Sequence, residues 1–394
     1  MGKYYSKYMR NFDYGLLFVY IFLCIFGLVM IYSSSMFVAI VSDGEAPDYY
    51  YKKQLINLAV ACLAFVVVVL FPYHNYRDKS ILKLLAVVMV VLEVWLFTAG
   101  IGKEEVGSQS WIRLFGLMTF QPSEYAKLFV ILYFAGVLYN KSVSNGKDIQ
   151  RLTVNDIKFP TIAWVAILGC VAAETDIGAV LLIFSIALGV FVASGMRGKI
   201  LLKFSIVLGF FGSIAVAILL LIKRESIFNE SRLGRFTSYR NPFEYAEGSG
   251  YQVINGYYAI GSGGIEGKGL GQSVQKLGYL PEPQTDFILA VIAEELGVFG
   301  VTVVLLGIGY IVLRGLWIAM TTKDPHARMI AAGISTWIGL QTFVNVGGLS
   351  GIIPLTGVTL PFISYGGTSI LLLSVAMGIL INVSVHHKIE RKQY

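Results

Sequence analysis

The chain has 394 residues, of which 56% are hydrophobic and only 14% charged, with a mean hydropathy of +0.70; this excludes a soluble domain of ordinary composition and predicts a polytopic membrane protein. The net charge of +7 is spread over short connections, which argues against a nucleic-acid partner and fits the positive-inside bias of membrane proteins. Cys24, Cys62 and Cys170 all fall in apolar runs, so neither a disulfide framework nor a metal-ligand spacing can be built from them.

Lys3, Lys7 and Arg10 precede an apolar run from Tyr14 to Val41 that is too long for a signal-peptide core and has no small-residue cleavage site. It reads as a retained first span. Met1 to Ser6 fits a myristoylation pattern, but so short a pattern arises by chance. Apolar windows of about 20 residues predict spans near 14–41, 54–71, 81–100, 122–140, 160–174, 177–194, 200–222, 287–313, 329–349 and 366–385. The predicted fold class is therefore an all-α polytopic membrane protein. Its about ten transmembrane helices form a single domain over 1–394, with a long extracellular loop, 223–286, between helices 7 and 8.

Lys and Arg crowd into one alternate set of connections (Arg77, Lys79; Lys141, Lys158; Arg197, Lys199; Arg314, Lys323, Arg328) and into both ends. Both termini are therefore predicted to be cytoplasmic. The long loop falls outside and is still basic, with Arg232, Arg235 and Arg240 among aromatic residues; an anionic ligand outside is one reason. Its aromatic and basic residues also favour the headgroup level, so interfacial helices are expected in it. Gly261 to Gly269 suggests a nucleotide loop but lacks the required Gly and Ser/Thr positions. Tight turns or close backbone approach suit its glycines better, and no nucleotide is expected.

Polar clusters adjoin the spans on the outer side: Gly107 to Arg113 and Gln121 to Lys127, Glu174 to Asp176, Lys276 to Asp286, and Asn345 to Gly367. If the helices bundle, these clusters would line an outward-facing cavity. It would hold the carboxylate and cation mix that an anionic diphosphate lipid and a reacting hydroxyl both require. The candidates are Asp286 as the catalytic group, and Arg113, Glu124, Lys127, Asp176, Lys276, Glu282, Ser364 and Tyr365 as substrate contacts. Structural readings stand beside these. Glu124 and Lys127, three apart, can pair on a helix face, and Asp286 and Asp176 can simply open helices. Glu294 would lie about 12 Å deeper than Asp286 on a helix, and an ionisable group at such depth, like its neighbour Glu295, is a functional candidate. The histidines fall in or beside cytoplasmic segments, which leaves no His base outside.

The motifs Gly27-Leu-Val-Met-Ile-Tyr-Ser33, Gln121-Pro-Ser-Glu-Tyr-Ala-Lys127, Tyr257-Tyr-Ala-Ile-Gly-Ser-Gly-Gly264, Leu280-Pro-Glu-Pro-Gln-Thr-Asp286, Glu294-Glu-Leu-Gly297 and Thr359-Leu-Pro-Phe-Ile-Ser-Tyr-Gly-Gly367 carry a resemblance over essentially the whole chain. It resembles the shape, elongation, division and sporulation family of bacterial peptidoglycan polymerases. Val358-Thr-Leu-Pro-Phe and Gln252 to Tyr258 look more like its cell-division members from Gram-positive bacteria than its elongation members.

The resemblance implies ten spans in the cytoplasmic membrane, with the division septum as the site of action. It also implies a glycosyltransferase that joins lipid II units into a nascent glycan outside the membrane, working with a class B penicillin-binding transpeptidase and other division proteins. The family's essential aspartate corresponds to Asp286, as general base or as ligand of a divalent cation, Mg²⁺ or Mn²⁺; its Glu and Lys after Gln-Pro-Ser correspond to Glu124 and Lys127. Positive charge for the leaving diphosphate would come from Lys127, Arg113, the loop or the metal. Two positions depart from the family: Ser110 stands where Arg is usual, and Glu174-Thr-Asp176 where Gln-Pro-Asp is usual. The competing reading is a lipid II flippase using Glu294, Glu295 and Lys127.

Overall fold

A computed structural model describes residues 2–101, 110–114, 118–146, 148–149, 152–174, 176–199, 202, 239–248 and 250–392. Eleven α-helices and one hairpin occur among them: α1 (Gly2–Arg10), α2 (Tyr14–Val41), α3 (Tyr49–Leu70), α4 (Lys79–Ala99), β1 (Ile112–Leu114), β2 (Met118–Phe120), α5 (Pro122–Ser144), α6 (Val154–Ala173), α7 (Ile177–Ser194), α8 (Tyr251–Gly263), α9 (Ile288–Thr321), α10 (Pro325–Leu349) and α11 (Gly367–Arg391). Nine of the helices are long and apolar enough to cross a membrane. The expected span at 200–222 lies outside the described residues, apart from Leu202.

Helix ends follow local chemistry. Asp78 caps α4 through Ser80 N at 2.9 Å, and Asp176 caps α7 through Ala179 N at 2.9 Å. Asp324 caps α10 through His326 N at 3.0 Å; Pro122 and Pro325 open α5 and α10, where a missing N–H costs nothing. The break between α6 and α7 falls at Glu174 to Asp176, so the long apolar run there is two helices. Helix α1 and the β1–β2 hairpin are additions to the expected elements. In the described part of the long loop, α8 is a helix of 13 residues.

Helix α11 is the central one, with 89% of its apolar window buried. Without water to drive association, helices in lipid pack by close approach and by polar pairs. Gly378 of α11 accordingly sits against the Phe65 backbone of α3. Asn382 of the same helix closes the end of α3, where Pro72 interrupts the hydrogen-bond ladder. It donates to Val69 O at 2.7 Å and accepts Tyr73 N at 2.9 Å.

Candidate active site

Asp286 is half-buried one residue ahead of Phe287, which caps α9. Its Oδ1 accepts the Thr285 hydroxyl at 3.1 Å, and its backbone carbonyl accepts Asn345 Nδ2 at 2.9 Å. The same amide donates to Val358 O at 2.8 Å, and Tyr365 N donates to Gln284 O at 2.9 Å. The turn bearing Asp286 is thus stapled to the segment between α10 and α11.

One helical turn earlier on α10, Gln341 donates to the Thr359 carbonyl at 3.0 Å. Its Oε1 accepts Trp337 Nε1 at 2.7 Å and Lys127 Nζ at 3.1 Å. Lys127 pairs with Glu124 at 2.6 Å. Trp337, Gln341 and Asn345 stand four apart and so share one face of α10. That polar stripe connects the Asp286 turn to the Glu124–Lys127 pair. Lys127 is only 2% exposed, which makes it a strut for Glu124. Glu124 Oε2 has no hydrogen-bond partner among the described residues.

The other expected contacts are distributed around this stripe. Asp176, beyond its capping role, accepts Gln121 Nε2 at 3.2 Å, which joins the starts of α5 and α7. Gln121 N in turn donates to Thr368 at 3.2 Å, at the start of α11. Ser364 is buried, and its hydroxyl accepts Leu360 N at 2.8 Å to hold a turn. Tyr365 stands edge-on to Tyr50 at 5.0 Å. Burial, then Tyr49 and Glu282, push its phenol up to about 12, so it is a donor at neutral pH. Glu282 is exposed at φ 51, and its carbonyl accepts the Thr285 hydroxyl at 2.9 Å, which orders the turn before Asp286. Arg113 is exposed on β1, paired with Thr119 in the hairpin; the Thr119 carbonyl accepts Thr368 Oγ1 at 3.1 Å.

Lys276 lies inside the protein. Expected at the substrate, it is 2% exposed and spends its ammonium on Glu295 at 2.7 Å, Ser33 at 2.9 Å and Gly271 O at 2.8 Å. An ammonium has three donors, and all are taken. Glu294 is sealed in the same way by Lys268 at 2.6 Å, the Ser273 hydroxyl, and the N–H groups of Val274 at 3.1 Å and Gln275 at 3.2 Å.

The reason for this clamp is a break in α9 at Gly297, where φ is 62 and ψ −159. The freed carbonyls of Glu294 and Glu295 accept Lys268 N and Gly269 N, each at 2.9 Å. Irregular backbone at membrane depth survives only when protein satisfies it in this way. A Cβ on Gly263 would collide with the Ala293 carbonyl, and one on Gly267 with that of Glu295. Close backbone approach therefore accounts for the glycine run.

Gln341 and Trp337 were missed by sequence reasoning, and Asn345 was seen only as the edge of a polar segment. The signal was present: residues 337, 341 and 345 repeat every fourth position in an otherwise apolar span, a pattern that marks one inward face.

The family model described as Cell cycle protein, which covers FtsW, RodA and SpoVE, matches residues 14–389. The chain belongs to this family. It is 44% identical to the probable peptidoglycan glycosyltransferase FtsW of Bacillus subtilis, over 97% of this chain and 93% of that protein. It is 36% identical to the stage V sporulation protein E of the same organism, over 94% and 96%. Among solved structures, a chain of a peptidoglycan synthase complex superposes with a TM-score of 0.70 at 23% identity, covering 97% and 98% of the two chains. The Rod shape determining protein RodA of Thermus thermophilus superposes at 0.66, with 23% identity and coverage of 95% and 97%. These two likenesses show that the chain has the fold of this family.

Proposed function

We propose that the chain is a peptidoglycan glycosyltransferase that polymerises lipid II on the outer face of the bacterial cytoplasmic membrane, in the synthesis of septal wall. The observation that carries this reading is the half-buried Asp286 at the outer end of the bundle, on a turn that Asn345 fixes to the segment between α10 and α11. Family membership and the 44% identity to a probable peptidoglycan glycosyltransferase support it. Both termini would be cytoplasmic, by the distribution of Lys and Arg.

Asp286 takes the proton of the 4-hydroxyl on the GlcNAc of incoming lipid II. The hydroxyl oxygen bonds to the anomeric carbon of the growing glycan, and undecaprenyl diphosphate leaves from the opposite side, inverting the centre. The starts of α5, α7, α9 and α11 meet at this end, and helix N-termini favour an anion such as the diphosphate. Arg113 can add a full charge. Lys127 acts through Glu124, positioning it.

Among the described residues no three His, Cys, Asp or Glu side chains cluster as a metal site. Mg²⁺ or Mn²⁺ would therefore rest on Asp286 together with substrate phosphate and water, a sharing common for Mg²⁺. Such an ion would neutralise charge on the departing diphosphate. A class B penicillin-binding transpeptidase is the expected partner.

Against the flippase reading, Glu294, Glu295 and Lys127, the three groups it relies on, all have their charges paired inside the protein. The test is lipid II polymerisation by the purified chain with its cognate transpeptidase, wild type beside Asp286→Ala, with moenomycin silencing polymerases of the other class. Wild type is expected to make glycan strands, and the variant at least about a hundredfold fewer. Equal product from both would end the assignment of Asp286. If neither made glycan while the wild type moved lipid II between leaflets, the transport reading would replace this one.

A further inference from the structure

The end of the bundle opposite the candidate site carries a cavity of about 440 Å³ between α1, the end of α9 and the end of α11, lined by Arg10, Phe12, Trp317, Lys388, Arg391 and Lys392. Its lining includes no acid. The carboxylate closest in sequence on the N-terminal side, Asp13, is already satisfied by Arg314 at 3.0 Å, Lys388 at 3.0 Å and the Ser384 hydroxyl at 2.6 Å. Glu390, adjacent to Arg391, makes no ion pair with the lining cations among the described residues. Arg10 and Arg391 are exposed and make no ion pair among the described residues. Lys392 donates to the Asn11 side-chain oxygen at 2.7 Å. Cationic charge therefore remains uncompensated in a concave site.

The cavity also has an apolar continuation. Trp317, with the Arg314 guanidinium 4.4 Å from its ring centre, places an amphipathic ring at the end of a membrane-length helix, the level at which Trp anchors to the headgroups. Helices α2 and α9 meet next to the cavity, with Gly15 against Tyr310 and Gly307 against Leu23. Tyr14 and Phe18 on α2, and Leu306 and Leu313 on α9, are exposed. Phosphate-binding charge thus gives way directly to an apolar surface of the kind acyl chains cover. Helix α1 is held at the rim: Tyr8 donates to Val69 O at 2.6 Å, so Arg10 is presented from a fixed element.

We infer that this cavity binds the phosphate headgroup of an anionic phospholipid from the leaflet that faces both termini, with its acyl chains along α2 and α9. An acidic peptide would satisfy the cations but would leave the adjoining apolar surface unused. Basic pockets between helices on the Lys/Arg-rich side are the usual sites of anionic headgroups, and each cation there contributes about fivefold in affinity.

The test uses the full chain in nanodiscs of phosphatidylglycerol and phosphatidylcholine in equal parts, with retained lipids counted by native mass spectrometry after release. Arg10→Gln/Arg391→Gln/Lys392→Gln removes three exposed charges and leaves Lys388 to neutralise Asp13. Wild type is expected to retain phosphatidylglycerol selectively, and the triple variant to hold it on the order of a hundredfold more weakly. Equal retention by wild type and variant would overturn the proposal, as would retention of phosphatidylcholine to the same extent. Complete displacement of the lipid by inorganic phosphate would show a phosphate site without lipid character, and displacement by polyglutamate a peptide site; either outcome overturns the lipid assignment.

Discussion

Asp286 and the pair Glu294–Glu295 lie within ten residues of one another, yet the protein treats them in opposite ways. Glu294 and Glu295 are fully buried, each has a lysine within 2.7 Å, and hydroxyl or backbone donors satisfy their remaining lone pairs. Asp286 is only half-buried, and its backbone carbonyl accepts Asn345 Nδ2 at 2.9 Å. The difference separates two meanings of an acid at membrane depth. A fully buried carboxylate tied to a lysine is a fastener; a half-buried one on a firmly held turn is the better candidate for meeting a substrate.

The largest expected effect comes from breaking the fastener. In Glu295→Gln, Lys276 would remain buried without a counter-charge, a loss of about 3–5 kcal/mol in systems of this kind. The expected result is a large drop in thermal midpoint, with poor recovery from membranes. A midpoint unchanged from wild type would mean that the clamp is not what holds the loop against the broken helix.

A smaller effect should separate positioning from chemistry. Asn345→Ala leaves the Asp286 carboxylate intact but removes the donor to two backbone carbonyls, at about 1–3 kcal/mol for the unsatisfied groups. Glycan synthesis should fall about tenfold or more through the turnover rate, because small misplacements of a catalytic group are costly, while the concentration of lipid II giving half-maximal rate changes little. An unaltered rate would break the comparison, since the held backbone would then be irrelevant to the reaction.

How far the sequence foretold these roles depended on the kind of signal. Spans, termini of helices and the family were legible, because apolar length and motif spacing are local properties. The partner of Lys276 was not. Glu295 lies nineteen positions away, and only the break at Gly297 turns its helix so that the loop can reach it. Gln341 was legible in principle through its fourfold spacing with Trp337 and Asn345, but a glutamine in an apolar run reveals a face and not the lysine it meets.

Glu174 shows a third way to handle a carboxylate, and its expected effect begins near zero. It is 3% exposed at the corner between α6 and α7. Burial first, then the nearby Glu93 and Asp176, push its carboxyl from an ordinary 4.5 up to about 9. Burial thus favours its protonated form. The folded state binds the proton more tightly than the unfolded chain, so its contribution to stability falls as pH rises from about 4.5 to about 9 and is flat outside that window. Near the bottom of the window Glu174→Gln exchanges one neutral group for another, and the thermal midpoint should match wild type. Toward the top, wild type must either hold a costly proton or bury a charge, while the glutamine does neither. The difference in midpoint between variant and wild type should therefore widen steadily with pH, in favour of the variant. Parallel curves for the two proteins would show that burial does not hold the Glu174 carboxyl in its protonated form.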